Sequence, residues 1–234
     1  MTGDFQMQIP QIRQQFLDEG FVKFNFGKLS EEDLFEIASH LGKPLPVSRH
    51  NYNGHRYIQD VSPNGLFKSD EVPWHNDFSY SQGHYYGTLL YMQHYEVDVP
   101  TEFADMCAVY EKLPKELKNQ YEDIVCGFRA PEHYHDLLST SQLKLVSQYQ
   151  SKKKLVLMHP IVNATSIYFS PATLFETSSP IDMDYLLSLT EEVKFQIHYK
   201  EDDLVIFDNL RFMHRRPSFS DGFRQMLRIS FCYV

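Results

Sequence analysis

Apolar residues at Ile9, Ile12, Phe16 and Leu17 recur at helical spacing, Gly20 interrupts them, and residues 21–26 then alternate in the manner of a strand. The chain therefore opens with a helix followed by a strand. Ser30 is placed to cap a second helix, with Asp33 in a capping-box position. Leu34, Ile37, Ala38 and Leu41 form its buried stripe, and Gly42 followed by Pro44 closes it. Strand-like segments dominate afterwards, around 56–61, 75–80 and 86–94. Helical spacing returns over 106–113 and over 114–124, where Leu117, Tyr121 and Ile124 share one side, and predicts a helical insertion around 106–150. Late strands are predicted at 155–158, 166–169, 195–199, 204–207 and 227–233, with a further helix over 181–189. Many short strands separated by turn chemistry predict a sandwich or barrel, mainly β with peripheral helices. No internal repeat, low-complexity tract or linker divides the sequence, and a chain of 234 residues fits one domain over 1–234.

Composition narrows the class. Aromatic residues make up 15% of the chain, with 18 Phe and 15 Tyr, which suits strands and apolar pocket walls. The net charge is −9, and the one compact basic run, Lys152-Lys153-Lys154, reads as a solvated turn before a strand. Nucleic-acid binding is not expected. Cys107, Cys126 and Cys232 are odd in number and lack any Cys-x-x-Cys spacing, which argues for reduced thiols rather than a disulfide framework. With no apolar run of membrane-spanning length, a cytoplasmic protein without membrane partners is expected.

Candidate chemistry lies in Trp74-His75-Asn76-Asp77 and, much later, in Asp208-Asn209-Leu210-Arg211-Phe212-Met213-His214. In an extended strand residues i and i+2 project together, so His75 and Asp77 are suited to clamp one ion from one side. His214 is the candidate third ligand. Two imidazoles and one carboxylate on one face of an octahedron leave three positions open, as in non-haem Fe(II) oxygenases. A His-x-Asp pair also arises by chance in a chain with 11 histidines, so its weight depends on the segments around it. His84, His94, His159 and His198 have no partner at ligand spacing, and His133-x-His135 falls in a polar stretch that reads as loop, with hydrogen-bonding groups expected there and a second metal pair as the alternative.

Those segments are 101–111, 203–209, His214 and Phe223-Arg224-Gln225-Met226-Leu227-Arg228, with weaker similarity at Leu45-Pro46-Val47. In this order the chain resembles the taurine and 2,4-dichlorophenoxyacetate dioxygenase family of Fe(II)/2-oxoglutarate enzymes. The resemblance implies a double-stranded β-helix, or jelly roll, with the metal at one mouth, and Fe(II), 2-oxoglutarate and O2 as cofactors. It also implies that Arg224, helped by Thr101, pairs with the distal carboxylate of 2-oxoglutarate, a role suited to the planar and permanently charged guanidinium. Arg228 matches a position that in several members meets an anionic group of the primary substrate. On a strand it would face the same way as Arg224, and a buried arginine needs an anion, supplied either by substrate or by an acid such as Asp208. Arg49 and His50 lie near where some relatives place a substrate contact, and of Arg215 and Arg216 one is expected to point outward, a solvated pair being the default.

Two features depart from the pattern: Asp98-Val99-Pro100 replaces the usual glycine pair before Thr101, and Arg224 falls early after His214. The carboxylate of Asp77 fills the place that halogenating relatives leave to a halide. The expected activity is a dioxygenase that hydroxylates a C–H bond of a small, anionic or amino-acid-like metabolite, with release of succinate and CO2. The competing classes are a catalytically silent jelly-roll binding or sensor protein, which would have lost a ligand or the cosubstrate arginine, and a zinc hydrolase using the same three ligands.

Overall fold

The computed structural model describes residues 4–47, 50–63, 69–83, 87–130, 150–220 and 222–233. The chain begins with α1 (Asp4–Glu19), β1 (Phe21–Asn25), α2 (Glu31–Leu41) and β2 (Lys43–Pro44). The Ser30 hydroxyl accepts from the Asp33 amide while the Asp33 carboxylate accepts from the Ser30 amide, so the predicted capping box is formed. Gly42 ends this helix for want of space rather than for a left-handed turn. Its φ is 179°, and a Cβ there would lie 2.4 Å from the Cys232 carbonyl oxygen.

The next elements are β3 (Gln59–Asp60), β4 (Val72–His75), β5 (Gly87–Tyr95) and β6 (Thr101–Asp105), followed by α3 (Met106–Lys112) and α4 (Lys115–Tyr121). Then come β7 (Val125–Arg129), β8 (Gln150–Lys154), β9 (Val156–Met158), β10 (Thr165–Ile167), β11 (Leu174–Thr177) and α5 (Met183–Val193). The chain finishes with β12 (Lys194–Ile197), β13 (Asp203–Asp208), β14 (Phe212–Arg216) and β15 (Arg224–Cys232). The helical reading around 106–150 therefore holds for α3 and α4 but gives way to strand at β7. There Val125, Cys126 and Phe128 suit a strand, and Gly127 leaves room for the Glu176 side chain. Residues 131–149, with His133 and His135, lie outside the described residues. The lysine run is not a turn: it belongs to β8, which pairs with β7.

Two antiparallel sheets carry the architecture. One has the order β1-β13-β5-β15-β2, with β3 also on β15, and the other has the order β12-β6-β14-β4. Successive strands β3, β4, β5 and β6, and later β12, β13, β14 and β15, are distributed between the two sheets in alternation broken only at β6 and β12. Side-chain parity ties the sheets together. Leu90 and Met92, Val205 and Phe207, and Met226 from the first sheet form one buried cluster with Phe103 and Phe212 from the second. The intervening residues Leu89, Tyr91, Leu204, Ile206, Leu227 and Ile229 point the other way, onto Ile12 and Phe16 of α1 and Leu34 and Ile37 of α2. Behind the second sheet, Trp74, Ala104 and Met213 pack with Met106 and Val109 of α3 and Leu186 and Leu189 of α5. Each large apolar side chain fully buried this way contributes about 1.5–3 kcal/mol. Among the described residues no helix is long and apolar enough to cross a membrane.

Packing is tight at the start of β5. A Cβ on Gly87 would lie 2.2 Å from Cζ of Phe231, a ring with no exposed surface into which to retreat. Gly87→Ala is expected to destabilise the protein by about 1–3 kcal/mol, the usual penalty for overpacking a core. Equilibrium urea unfolding measures this, and an unchanged midpoint would show that Phe231 moves aside freely.

Candidate metal centre

The alternation that builds the core also aims the site. Phe212 faces the space between the sheets and Met213 faces away, so His214 points inward with Phe212. Trp74 packs outward, and its successor His75 points inward. The two histidines are direct cross-strand partners on β14 and β4, with ring centroids 4.1 Å apart. His75 Nδ1 lies 2.9 Å from the Pro73 carbonyl oxygen, which can only accept. Nδ1 therefore carries the proton and Nε2 offers its lone pair, the tautomer a metal ligand needs. Around His214 stand the rings of Phe103 and Phe207, with centroids at 5.8 Å and 4.8 Å. Burial, joined by the neighbouring His75, pushes the His214 pKa well below its usual value and keeps its imidazole neutral.

Asp77 is delivered differently from the expectation of a continuous strand. β4 stops at His75, and residues 77–80 form a turn in which Phe78 adopts φ 53°. Left-handed backbone costs a non-glycine residue roughly 1–2 kcal/mol, so something must hold this turn. Asn209, between β13 and β14, does so: its Oδ1 accepts from the Asp77 amide and its Nδ2 donates to the Asp77 carbonyl, each at 2.8 Å. Asn76, whose side chain donates to the Asn209 and Phe212 carbonyls at 2.8 and 3.1 Å, has a structural role. The Asp77 carboxylate then lies with Oδ1 3.6 Å from His75 Nε2 and 4.0 Å from His214 Nε2. The three potential ligand atoms fall within 4.8 Å of one another. Burial alone would raise the Asp77 pKa, but the Arg228 guanidinium beside it overcomes this and holds the carboxyl well below the usual range. Two imidazole donors and an ionised carboxylate converging on one point fit a non-haem Fe(II).

Arg228 is the acid-paired arginine, but its acid is Asp77 rather than Asp208. Nη1 donates to Asp77 Oδ1 at 2.6 Å, and Nε and Nη2 donate to Gln59 Oε1 at 3.2 and 2.5 Å. The anion that burial of Arg228 demands is therefore supplied within the chain. Asp208 instead faces His159, at 2.9 Å, and Tyr233.

Arg224 lies on the same inner face of β15 as Met226 and Arg228, and only 4% of it is exposed. Its Nη1 donates to the Val99 carbonyl at 2.7 Å and its guanidinium stands over the Tyr199 ring at 5.6 Å. Among the described residues no carboxylate pairs with it. Burial accordingly lowers its pKa, with Tyr199 acting in the opposite sense. Thr101, at the head of β6 with the inward parity of Phe103, is buried beside the Tyr199 phenol, whose pKa burial pushes up to about 12. Arg224 thus holds the Asp98-Val99-Pro100 segment through a main-chain carbonyl, an acceptor that a glycine would supply equally.

Arg49 lies outside the described residues, and His50 is exposed beside β3 with φ 52°. Arg215 and Arg216 are not a solvated pair. Arg215 faces outward onto Glu102, Glu191 and Trp74, whereas Arg216 is buried with its guanidinium over Phe219 at 4.9 Å. Sequence reasoning missed Asn209, Gln59, Thr88 and Tyr199. Asn209 alone left a signal, as a polar residue fixed between a buried strand and the His214 strand; the others reach the site only through pairing of distant segments.

Asn209→Ala leaves the amide and carbonyl of Asp77 without their buried partner. Stability of the metal-free protein should fall by about 1–3 kcal/mol, and the Kd for Mn(II), read by electron paramagnetic resonance, should rise about tenfold or more. An unchanged Kd would mean that Asn209 does not present Asp77.

The profile of the taurine catabolism dioxygenase TauD, TfdA family matches residues 4–230. Among solved structures, a taurine dioxygenase from Burkholderia xenovorans superimposes with a TM-score of 0.78 at 20% identity, covering 96% of this chain and 80% of that one. AAD-2 in complex with Mn(II) and N-oxalylglycine superimposes with a TM-score of 0.76 at 22% identity, covering 96% of this chain and 88% of that one. Enzymes of the TauD, TfdA family use Fe(II), 2-oxoglutarate and O2. With the profile spanning nearly its whole length, the chain belongs to the TauD, TfdA family of 2-oxoglutarate-dependent dioxygenases.

Proposed function

We propose that this dioxygenase hydroxylates a C–H bond of a small metabolite, with His75, Asp77 and His214 as iron ligands and Arg224 and Thr101 as the anchor of 2-oxoglutarate. The observation that carries this reading is Arg224: a buried guanidinium on the inner face with the metal triad, holding one carbonyl and an aromatic face but no carboxylate among the described residues. A dianionic cosubstrate supplies the missing charge, and a hydrolase has no use for such a group. Bound Fe(II), with 2-oxoglutarate and O2, supplies the oxidising power for C–H cleavage, with succinate and CO2 as coproducts.

The chain's own share is placement and exclusion of water. Arg224 and Thr101 offer donors to the distal carboxylate of the cosubstrate, and Phe103 and Phe207 shield His214. Retention of a carboxylate at Asp77 favours hydroxylation over halogenation. Two sheets that share successive strands almost in alternation support the double-stranded β-helix, with the triad where the end of β4 meets the middle of β14. Arg228 serves Asp77 and Gln59, so an anionic substrate meeting Arg228 has to compete with Asp77 for it. Arg49, outside the described residues, and His50, just before β3, remain the candidate substrate contacts.

Protein supplied with Fe(II), ascorbate and 2-oxoglutarate is expected to show a metal-to-ligand charge-transfer band. Arg224→Ala should raise the 2-oxoglutarate Kd about 30-fold or more, as expected when one partner of a buried charge pair is truncated, with metal affinity nearly unchanged. Equal loss of both would point to a folding defect instead.

A screen of small carboxylates and amines for substrate-stimulated succinate release, followed by mass analysis, identifies the substrate. Gain of one oxygen atom is the expected product signature. A product lacking two hydrogens would replace hydroxylation by desaturation or ring closure.

A further inference from the structure

On β8, Lys152 and Lys154 reach the surface, where they pair with Glu176 and Asp123 at 3.1 Å each. Lys153 between them turns inward and is 7% exposed. It stands over the rings of Phe128 and Tyr168, 5.8 and 5.9 Å from their centroids, and no carboxylate pairs with it among the described residues. Burial pushes its ammonium down to about 8. Its three donors are matched by three acceptors: the Ser79 carbonyl at 2.5 Å, the Ser81 carbonyl at 2.9 Å and the Ser151 hydroxyl at 2.7 Å.

Two of those acceptors lie in the turn that leaves Asp77, at Ser79, and directly after it, at Ser81. Ser151 also donates to the Ser79 carbonyl, at 2.6 Å. The Ser79 hydroxyl is joined to Thr173 at 2.6 Å and to Ser170 at 3.2 Å, and the Ser170 hydroxyl accepts from the Asn76 amide at 3.0 Å. The residue before Asp77 and the residues after it are thus tied to one polar cluster, with the left-handed Phe78 held between. A methionine or leucine stem would fill the same space. What only the ammonium does is gather two carbonyls and a hydroxyl at one point, where burial of the charge is otherwise a cost.

We propose that Lys153 is a positioning residue for the metal ligand Asp77, fixing from beneath the turn that presents its carboxylate to His75 and His214. The inference rests on the reading of these three residues as the metal centre. Lys153 does not touch the metal or the ligands; it acts through the Ser79 and Ser81 carbonyls.

The test is a Mn(II) titration of wild type, Lys153→Met and Lys153→Arg, followed by electron paramagnetic resonance, with urea unfolding of the metal-free proteins alongside. Outer contacts of metal ligands commonly change affinity by tenfold or more, so Lys153→Met should raise the Mn(II) Kd about tenfold. Lys153→Arg keeps the charge but not the convergence of three donors, and should raise the Kd about threefold or more. Smaller changes in both variants, alongside a lowered urea midpoint, would make Lys153 a packing residue and overturn the proposal. If Lys153→Met does not fold, Lys153→Arg decides by the same threshold. A wild type that does not bind Mn(II) sinks the metal-centre reading itself, an outcome distinct from wild-type binding that the variants leave unaltered.

Discussion

A carboxylate kept ionised in the interior is the constraint around which this molecule is arranged. Asp77 is 4% exposed, and a buried charge costs several kcal/mol unless it is paired and hydrogen-bonded. The compensation comes from well-separated parts of the chain. Arg228 of β15 gives the ion pair, Thr88 of β5 donates to Oδ2 at 3.2 Å, and Asn209 of the β13–β14 corner fixes the backbone. Gln59 of β3 then holds the far side of Arg228. Removing one member of such a pair typically costs about 3–5 kcal/mol, because the other is left charged and buried. The first sheet is thus bound through one side chain to the turn that follows the second sheet's edge strand.

The second constraint is parity. A slip of one residue in β14 against β4 would turn His214 into the apolar layer behind the sheet and bring Met213 into the site. The outer face carries what opposes that slip. Arg215 lies 4.6 Å over the Trp74 ring, forks onto Glu191 at 2.8 and 3.2 Å and also reaches Glu102, while Trp74 Nε1 donates to Glu191 at 2.9 Å. Exposed ion pairs taken singly contribute little. Here the linked residues are the chain neighbours of His75, His214 and Thr101, so the network acts on register, and register decides which side chains meet between the sheets.

The sequence disclosed these features unevenly, for physical reasons. Periodicity exposed α1, α2 and the run of strands, since Ile12, Phe16, Leu34 and Ile37 repeat at a helix's spacing and Leu89 to Met92 and Leu204 to Phe207 are buried on both faces. The candidate ligands could be read because histidine and carboxylate are the chemistry itself. The route by which Asp77 arrives could not. His-x-Asp on a strand and His at a strand end followed by Asp in a turn share the same letters, and only Asn209, distant in sequence, distinguishes them. Lys153 was hidden for a related reason: three consecutive lysines look solvated, and a strand period that buries the middle one becomes visible only when β7 and β8 pair.

Arg224 and Arg228 bring these threads together. They lie on one strand, one face and at similar burial, so composition and period treat them alike. Their surroundings do not. Arg228 has its charge answered by Asp77 and two further N–H groups held by Gln59, whereas Arg224 has a carbonyl, a thioether and an aromatic face. Neutral acceptors satisfy hydrogen bonds but leave the net charge, and it is the charge that burial penalises. One arginine therefore completes the protein's own site, and the other keeps an unanswered charge that suits its proposed role of meeting an anion from outside. The difference follows from where Asp77 was led by its turn: had β4 run on past His75, the partner of Arg228 would have had a different position.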